Sequence, residues 1–413
     1  MNDKCAGKYI SLVREHKMIK QEMLALDVNI SRPMLSKIET GAEIGEVSII
    51  NSLFHRLDID YQDYINDKAW LYNQLVAIYK SVIYGNQNYT ALMNNLEKKC
   101  ECNEYLMFHP EYSLIMLILA YNENDFKSFS KLLTICSGNE NYYDDYELAI
   151  YMDFYGLKYQ DIGEFDESLK IFNSINVFNL PDYLCGMIDY HKGISYRYLN
   201  EFYKSTKCFE SALEYFLVAQ NFNKIVYTQI VLSDIFFKTG NYDLAMETIE
   251  KSLDAAYSTT NTKILEIINN NIAWFALIKE DYQKAINHTQ QALLYDNTKS
   301  EYYFYLVYSY YRLCDTNKSL HYIELAQEYC DENSLNYKMC MAIKKVIKNS
   351  KNQITYFEKL YVNIDEKSNP IYKQLVLEFI MNYYKKIEDY ENLARYSIEL
   401  NKFLARKLLM FEH

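Results

Sequence analysis

Apolar positions recur along most of this chain at helical spacing, in blocks about a dozen residues long, broken by single turn residues. Gly156–Phe172 reads GLKYQDIGEFDESLKIF and Gly193–Phe209 reads GISYRYLNEFYKSTKCF. In each, an aromatic precedes a turn residue (Gly163, Asn200), and Phe165 or Phe202 follows. A small residue comes three positions later (Ser168, Ser205), then Phe172 or Phe209. Two more copies keep this phase, one through Ser233, Gly240, Tyr242 and Ala245, the other through Ala273, Glu280, Tyr282 and Ala285. Fainter copies centre on Asn124, on Cys314/Ser319, on Glu388/Tyr390, and around Gln87/Tyr89. The turns at 163, 200, 240, 280 and 314 are 37, 40, 40 and 34 residues apart. The gap from 314 to 388 is two periods long and hides one degenerate unit.

That period and pattern resemble the tetratricopeptide repeat, a helix pair whose small residues let two helices approach while aromatics fill the remaining space. One pair cannot cover its own apolar face, so pairs stack. We expect an all-α chain, with eight or nine helix pairs over residues 67–413 forming a right-handed superhelix. Composition agrees. Ten glycines and four prolines in 413 residues are too few for a turn-rich β fold.

Residues 1–66 do not follow the repeat. Gln21, Ala25, Asn29, Ser31, Ile38 and Gly41 are spaced as two short helices around a tight turn. Ser31 is placed to N-cap the second of them. Pro33 then falls in the first turn, where its missing N–H breaks no helical bond. Asn29 tolerates the left-handed conformation that the turn needs. Arg32, Pro33, Met34, Ser36 and Lys37 point outward, while Leu35 and Ile38 face inward. This segment resembles the helix-turn-helix of phage-repressor-like (Xre-type) regulators. The resemblance implies that Arg32, Pro33 and Lys37 meet base edges with Ser36 next to them, that Gln21 holds a phosphate, that Ser31 belongs to the same DNA-binding set, and that Arg14 and Glu39 form an internal ion pair.

Charge complicates that picture. The chain carries a net −12, so bulk electrostatics repel nucleic acid. Residues 1–41 have an excess of two positive charges, but Glu43 and Glu46 follow, and residues 1–66 sum to −2. DNA affinity from one copy is therefore expected to be weak and salt-sensitive. Two copies reading half-sites one DNA turn apart are expected to be needed.

A helix-turn-helix head before a long tetratricopeptide array resembles the peptide-pheromone-responsive regulators of Gram-positive bacteria, the RRNPP-type group of Rap, Rgg, NprR, PlcR and PrgX proteins. The resemblance implies a cytoplasmic homodimer acting as a quorum-sensing transcriptional regulator. It would bind palindromic double-stranded DNA and be gated by a short signalling peptide in the repeat groove. Long-array members also bind phosphorelay proteins, so the alternative is a helical-repeat adaptor in which DNA binding is secondary or lost. Repeat geometry places Ile267, Asn270, Trp274 and Leu277 on the groove face of one unit, and Asp153, Arg197, Asp234, Tyr308, Tyr311 and Arg312 on neighbouring ones. The family's groove asparagines grip peptide backbone, which singles out Asn270, since an amide both donates and accepts. An arginine suits a peptide carboxylate.

No catalytic motif, cofactor fingerprint or metal-ligand spacing appears, so no enzyme, cofactor or metal is expected. Nine scattered cysteines without a CxxC pair read as reduced thiols. The longest apolar run, Tyr112–Tyr121, is too short to span a bilayer, and no membrane association is expected. His191 and His288 are expected to be surface residues or satisfied core residues.

Overall fold

The computed structural model describes residues 4–85, 89–257, 262–364 and 370–409, and these contain helices and no strands. The faint repeat copy at Gln87 lies outside the described residues. Four short helices come first: α1 Lys4–His16, α2 Gln21–Asp27, α3 Arg32–Glu39 and α4 Val47–Arg56. A 24-residue helix, α5 Tyr61–Tyr84, follows, and the residue 66/67 boundary expected from the sequence falls inside it. Seventeen further α-helices follow among the described residues. They are α6 Tyr89–Cys102, α7 Pro110–Asn122, α8 Phe126–Ser137, α9 Asp145–Asp161, α10 Phe165–Ser174 and α11 Asp182–Tyr198. Then come α12 Phe202–Val218, α13 Phe222–Lys238, α14 Tyr242–Tyr257, α15 Thr262–Ile278, α16 Tyr282–Leu293 and α17 Ser300–Arg312. The last are α18 Thr316–Tyr329, α19 Leu335–Ile347, α20 Gln353–Asn363, α21 Pro370–Lys386 and α22 Tyr390–Leu409. Among the described residues, α5 to α22 form nine successive helix pairs of tetratricopeptide type.

The turns within the pairs use one device. A residue in the left-handed region ends the first helix, and its neighbour starts the second. Asn124, Asn200, Glu280, Cys314 and Glu388 have φ between 59° and 62°, while Gly163 and Gly240 sit at 83° and 80°. Asp125, Asp281 and Asp315 then cap the second helix through the backbone N–H three residues on. The repeat's small residue is a packing requirement. A Cβ on Gly156 would lie 2.3 Å from the Phe172 ring, so only glycine lets α9 and α10 meet. The degenerate unit hidden between 314 and 388 is the α19–α20 pair, with its left-handed turn at Asn349 (φ 46°).

The chain divides into two compact units, Met1–Lys224 and Ile225–His413. In unit 1 the head has its own core of Tyr9, Ile10, Leu24, Leu35, Leu53 and Phe54, closed by Tyr64 from α5. The head also rests on the first repeats. The Cys5 thiol donates to the Tyr142 carbonyl at 3.3 Å, and the Tyr142 ring lies against Gly41.

Candidate functional site

The outward face of α3 is built as its sequence requires. Ser31 accepts the Met34 N–H at 3.3 Å, Pro33 sits in the first turn, and Asn29 takes the left-handed conformation at φ 58°. Leu35 and Ile38 are buried; Arg32, Pro33 and Lys37 are exposed, and Ser36 is half-buried. Met34, expected to point outward, is half-buried, because its side chain packs against the head core. Arg14 and Glu39 form a two-pronged buried pair at 2.7 and 3.0 Å, and that bond raises the guanidinium pKa. Gln21 donates to the same Glu39 carboxylate at 3.0 Å and accepts from Arg32 at 3.3 Å. It therefore positions Arg32. Lys37 is tied to Glu43 of the acidic loop, so its charge is partly neutralised in this state.

The groove residues fall into different surroundings. In unit 1, Asp153 is 1% exposed and accepts or shares a proton with His191 at 2.8 Å. It does not line an open surface, because α5 crosses this face. Tyr72 packs on Tyr146 at 5.9 Å, and Tyr79 lies 6.4 Å from Phe154 and 6.3 Å from Tyr183. The far end of α5 is pinned by the Tyr84 hydroxyl on the Ala219 carbonyl (3.0 Å) and by Asn223 on the Tyr84 carbonyl (2.8 Å). Lys224 sits over the Tyr190 ring, and burial pulls its ammonium down to about 8 against the attraction of Asp153. Arg197 is half-buried over the neighbouring Tyr198 ring.

In unit 2, Asp234 pairs with Lys238 one turn along at 3.0 Å. Asn270 is half-buried, and its side-chain carbonyl oxygen is enclosed with no hydrogen-bond partner among the described residues. Its neighbour Asn269 is buried and holds His288 at 2.9 Å while donating to the Leu265 carbonyl. Leu277, expected on the groove face, belongs to the core, since it is 2% exposed among α15–α18 residues. Trp274 stacks on Tyr305 at 5.4 Å and on Tyr372 of α21 at 5.6 Å. The Tyr372 hydroxyl donates to Asn336 at 2.6 Å. These rings fill one end of the inner face.

The other end is open. A cavity of about 810 Å³ lies where the C-terminal ends of α17, α19 and α21 meet the α19–α20 turn. Tyr308, Tyr311 and Arg312 line it, three of the residues chosen from the repeat pattern. Tyr311 packs on Phe379 at 5.7 Å, and Phe379 stacks on Phe357 at 4.9 Å. Burial pushes the Tyr308 phenol up, opposed by Arg312, whose guanidinium donates to that hydroxyl at 2.7 Å. Sequence reasoning missed the α21 wall of Glu378, Phe379, Asn382 and Lys386. The signal was present, because Tyr372, Phe379, Tyr383 and Lys386 follow a 7-4-3 spacing that marks a second helical stripe.

No family model matches the chain. The Geobacillus stearothermophilus transcriptional activator NprA is 20% identical over 393 residues, covering 89% of this chain and 91% of the relative. The apo form of the quorum sensor NprR from B. thuringiensis superposes with a TM-score of 0.62 at 15% identity. That match covers 83% of this chain and 99% of NprR. Along its length the chain is therefore similar in sequence to that activator and in fold to that quorum sensor, in keeping with the RRNPP-type resemblance. A Rap protein complexed with Competence and Sporulation Factor gives a TM-score of 0.56 at 13% identity over 83% of this chain and 99% of that one. Among the described residues, no helix is long and apolar enough to cross a membrane.

Proposed function

We propose that the protein is a cytoplasmic, peptide-responsive transcription regulator that reads operator DNA through α3 and binds a short signalling peptide in unit 2. One combination carries this reading. A single chain presents a capped, outward-facing basic helix and an unfilled cavity lined by aromatic and basic side chains. The NprA relative, a transcriptional activator, and the Rap protein solved with a bound factor support the two halves of the proposal. In this reading α3 enters the major groove, where Arg32 and Lys37 donate to guanine edges. A homodimer then reads two half-sites about 34 Å apart. Lys37 must leave Glu43 to do so, which makes the head weak on its own and dependent on the second copy.

Genome-wide binding-site selection with purified protein tests this. Site enrichment is expected, and Arg32→Ala is expected to weaken specific binding by about 1–3 kcal/mol. No enrichment, with or without peptide, would sink the DNA half. The Lys37–Glu43 pair favours one second reading, an adaptor for a phosphorelay protein in which the head does not engage DNA. Under that reading, deleting α1–α4 leaves the regulatory phenotype intact.

A further inference from the structure

The cavity in unit 2 has a directional chemistry that a peptide's backbone alone does not require. Arg312 is held in place before any ligand arrives. Its guanidinium lies 5.0 Å from the Tyr282 ring centre and 5.6 Å from that of Tyr308, and it donates to the Tyr308 hydroxyl. Its one acidic partner among the described residues is Glu280, at 3.2 Å, whose side chain is 67% exposed. An exposed ion pair of that kind contributes little and is readily exchanged. The planar guanidinium, already fixed by two rings, suits a two-pronged carboxylate contact.

The remaining lining is consistent with one kind of chain end. Lys351 and Lys386 add positive charge, and Tyr308, Phe357 and Phe379 form an apolar face. Glu378 also lines the cavity and accepts from Gln374 at 3.1 Å. A carboxylate there opposes a bare anion, but it suits a group that brings an N–H together with its charge. Asn382 lies one turn beyond Glu378 on α21 and supplies both donor and acceptor. The last residue of a peptide has this combination: an amide N–H, a free carboxylate and a side chain.

We propose that this cavity seats the C-terminal residue of a peptide, a large apolar one. Arg312 takes the terminal carboxylate in exchange for Glu280, Glu378 accepts the last backbone N–H, and the side chain enters the face of Tyr308, Phe357 and Phe379. The proposal rests on the peptide-binding reading above and adds polarity and end-group to it.

Two matched pools of N-acetylated hexapeptides provide the test. Both are random at five positions and end in phenylalanine; one carries a free carboxylate and the other a carboxamide. Each is equilibrated with the full-length protein, and the retained fraction is read by mass spectrometry. The acid pool is expected to be retained about tenfold over the amide pool, as for a charge-assisted contact. Arg312→Gln is expected to erase that difference. Glu280→Gln alters an exposed side chain and keeps the test valid should Arg312→Gln fail to fold. It is expected to raise acid retention about threefold by removing the competitor. Equal retention of both pools, preference for the amide, or no gain in Glu280→Gln overturns the end-group assignment and leaves peptide binding standing. Retention of neither pool overturns the peptide reading and this assignment together.

Discussion

The two units use the same helix pairs and reach opposite outcomes on their inner faces. In unit 1, α5 lies along the faces of α7, α9 and α11 and fills the space with Tyr72 and Tyr79. In unit 2, α21 closes only half of the corresponding face. Tyr372 meets Trp274 and Tyr305 at one end, while Phe379 stands at the edge of an open cavity at the other. A repeat fold therefore leaves its groove undecided. What lies across the groove determines whether a ligand can enter.

The largest expected effect tests whether unit 1 is truly closed. Tyr79 is 3% exposed and wedged between two repeats, so Tyr79→Ala should cost about 3–5 kcal/mol in denaturant unfolding. Tyr311→Ala, on the wall of the open cavity, should cost no more than about 2 kcal/mol, because its ring is only half-buried. Equal losses would break the comparison.

pH separates the units next. In unit 1, burial beside Glu111 and Asp144 pushes the Glu147 carboxyl up to about 8, with the Asp144 N–H and Lys68 opposing. Unfolded, Glu147 ionises at its ordinary value. The folded state holds the extra proton between the two, so unit 1 loses stability as pH rises toward 8. In unit 2, burial would raise Glu266, but hydrogen bonds from Lys263, Lys299 and Tyr302 outweigh it and hold its carboxyl below the ordinary value. That stabilisation is present above the ordinary carboxylate range and is lost as pH falls through the lowered value. Hydrogen exchange corrected for intrinsic rates should show α7 and α9 loosening toward pH 8 and α15 loosening toward acid. The effect in unit 1 should be on the order of a few kcal/mol. Glu147→Gln should flatten the slope of unit 1 and leave that of unit 2 unchanged.

The smallest effect is a difference of sign. The buried Tyr79 hydroxyl has no hydrogen-bond partner among the described residues, so Tyr79→Phe should stabilise unit 1 by about 1 kcal/mol. The Tyr372 hydroxyl is bonded to Asn336, so Tyr372→Phe should destabilise unit 2 by about 1 kcal/mol. Thermal melts of the two variants decide it.

The fold was readable wherever a turn kept its two-residue form. Gly163, Asn200, Gly240, Glu280 and Cys314 each precede the next helix by two positions, and each lies in the left-handed region. Asn349 was not readable because its helix starts four positions later, at Gln353, which shifts the apolar register. Those extra residues, Ser350 and Lys351 among them, line the cavity. The irregularity that hid the unit helps to form the candidate site. The local logic of α3 was legible from its cap, proline and glycine. The burial of Asp153 was not, since α5 is adjacent to it only through tertiary packing. Tyr308, Tyr311 and Arg312 were found from repeat phase, whereas the α21 wall belongs to the unit of the faint Glu388/Tyr390 copy, whose groove positions were not counted out.

Helix α5 also has a mechanical consequence. One end supplies Tyr64 to the core of the head, and the other is bonded through Tyr84 to the turn before α13. No residue among its 24 interrupts the helix, which gives about 36 Å of continuous rod. A tilt of about 10° at the Tyr84 end carries the opposite tip through roughly 6 Å, near the 5.4 Å pitch of an α-helix. A small tilt where α5 is seated is thus geared up into a displacement of the head by about one helical turn.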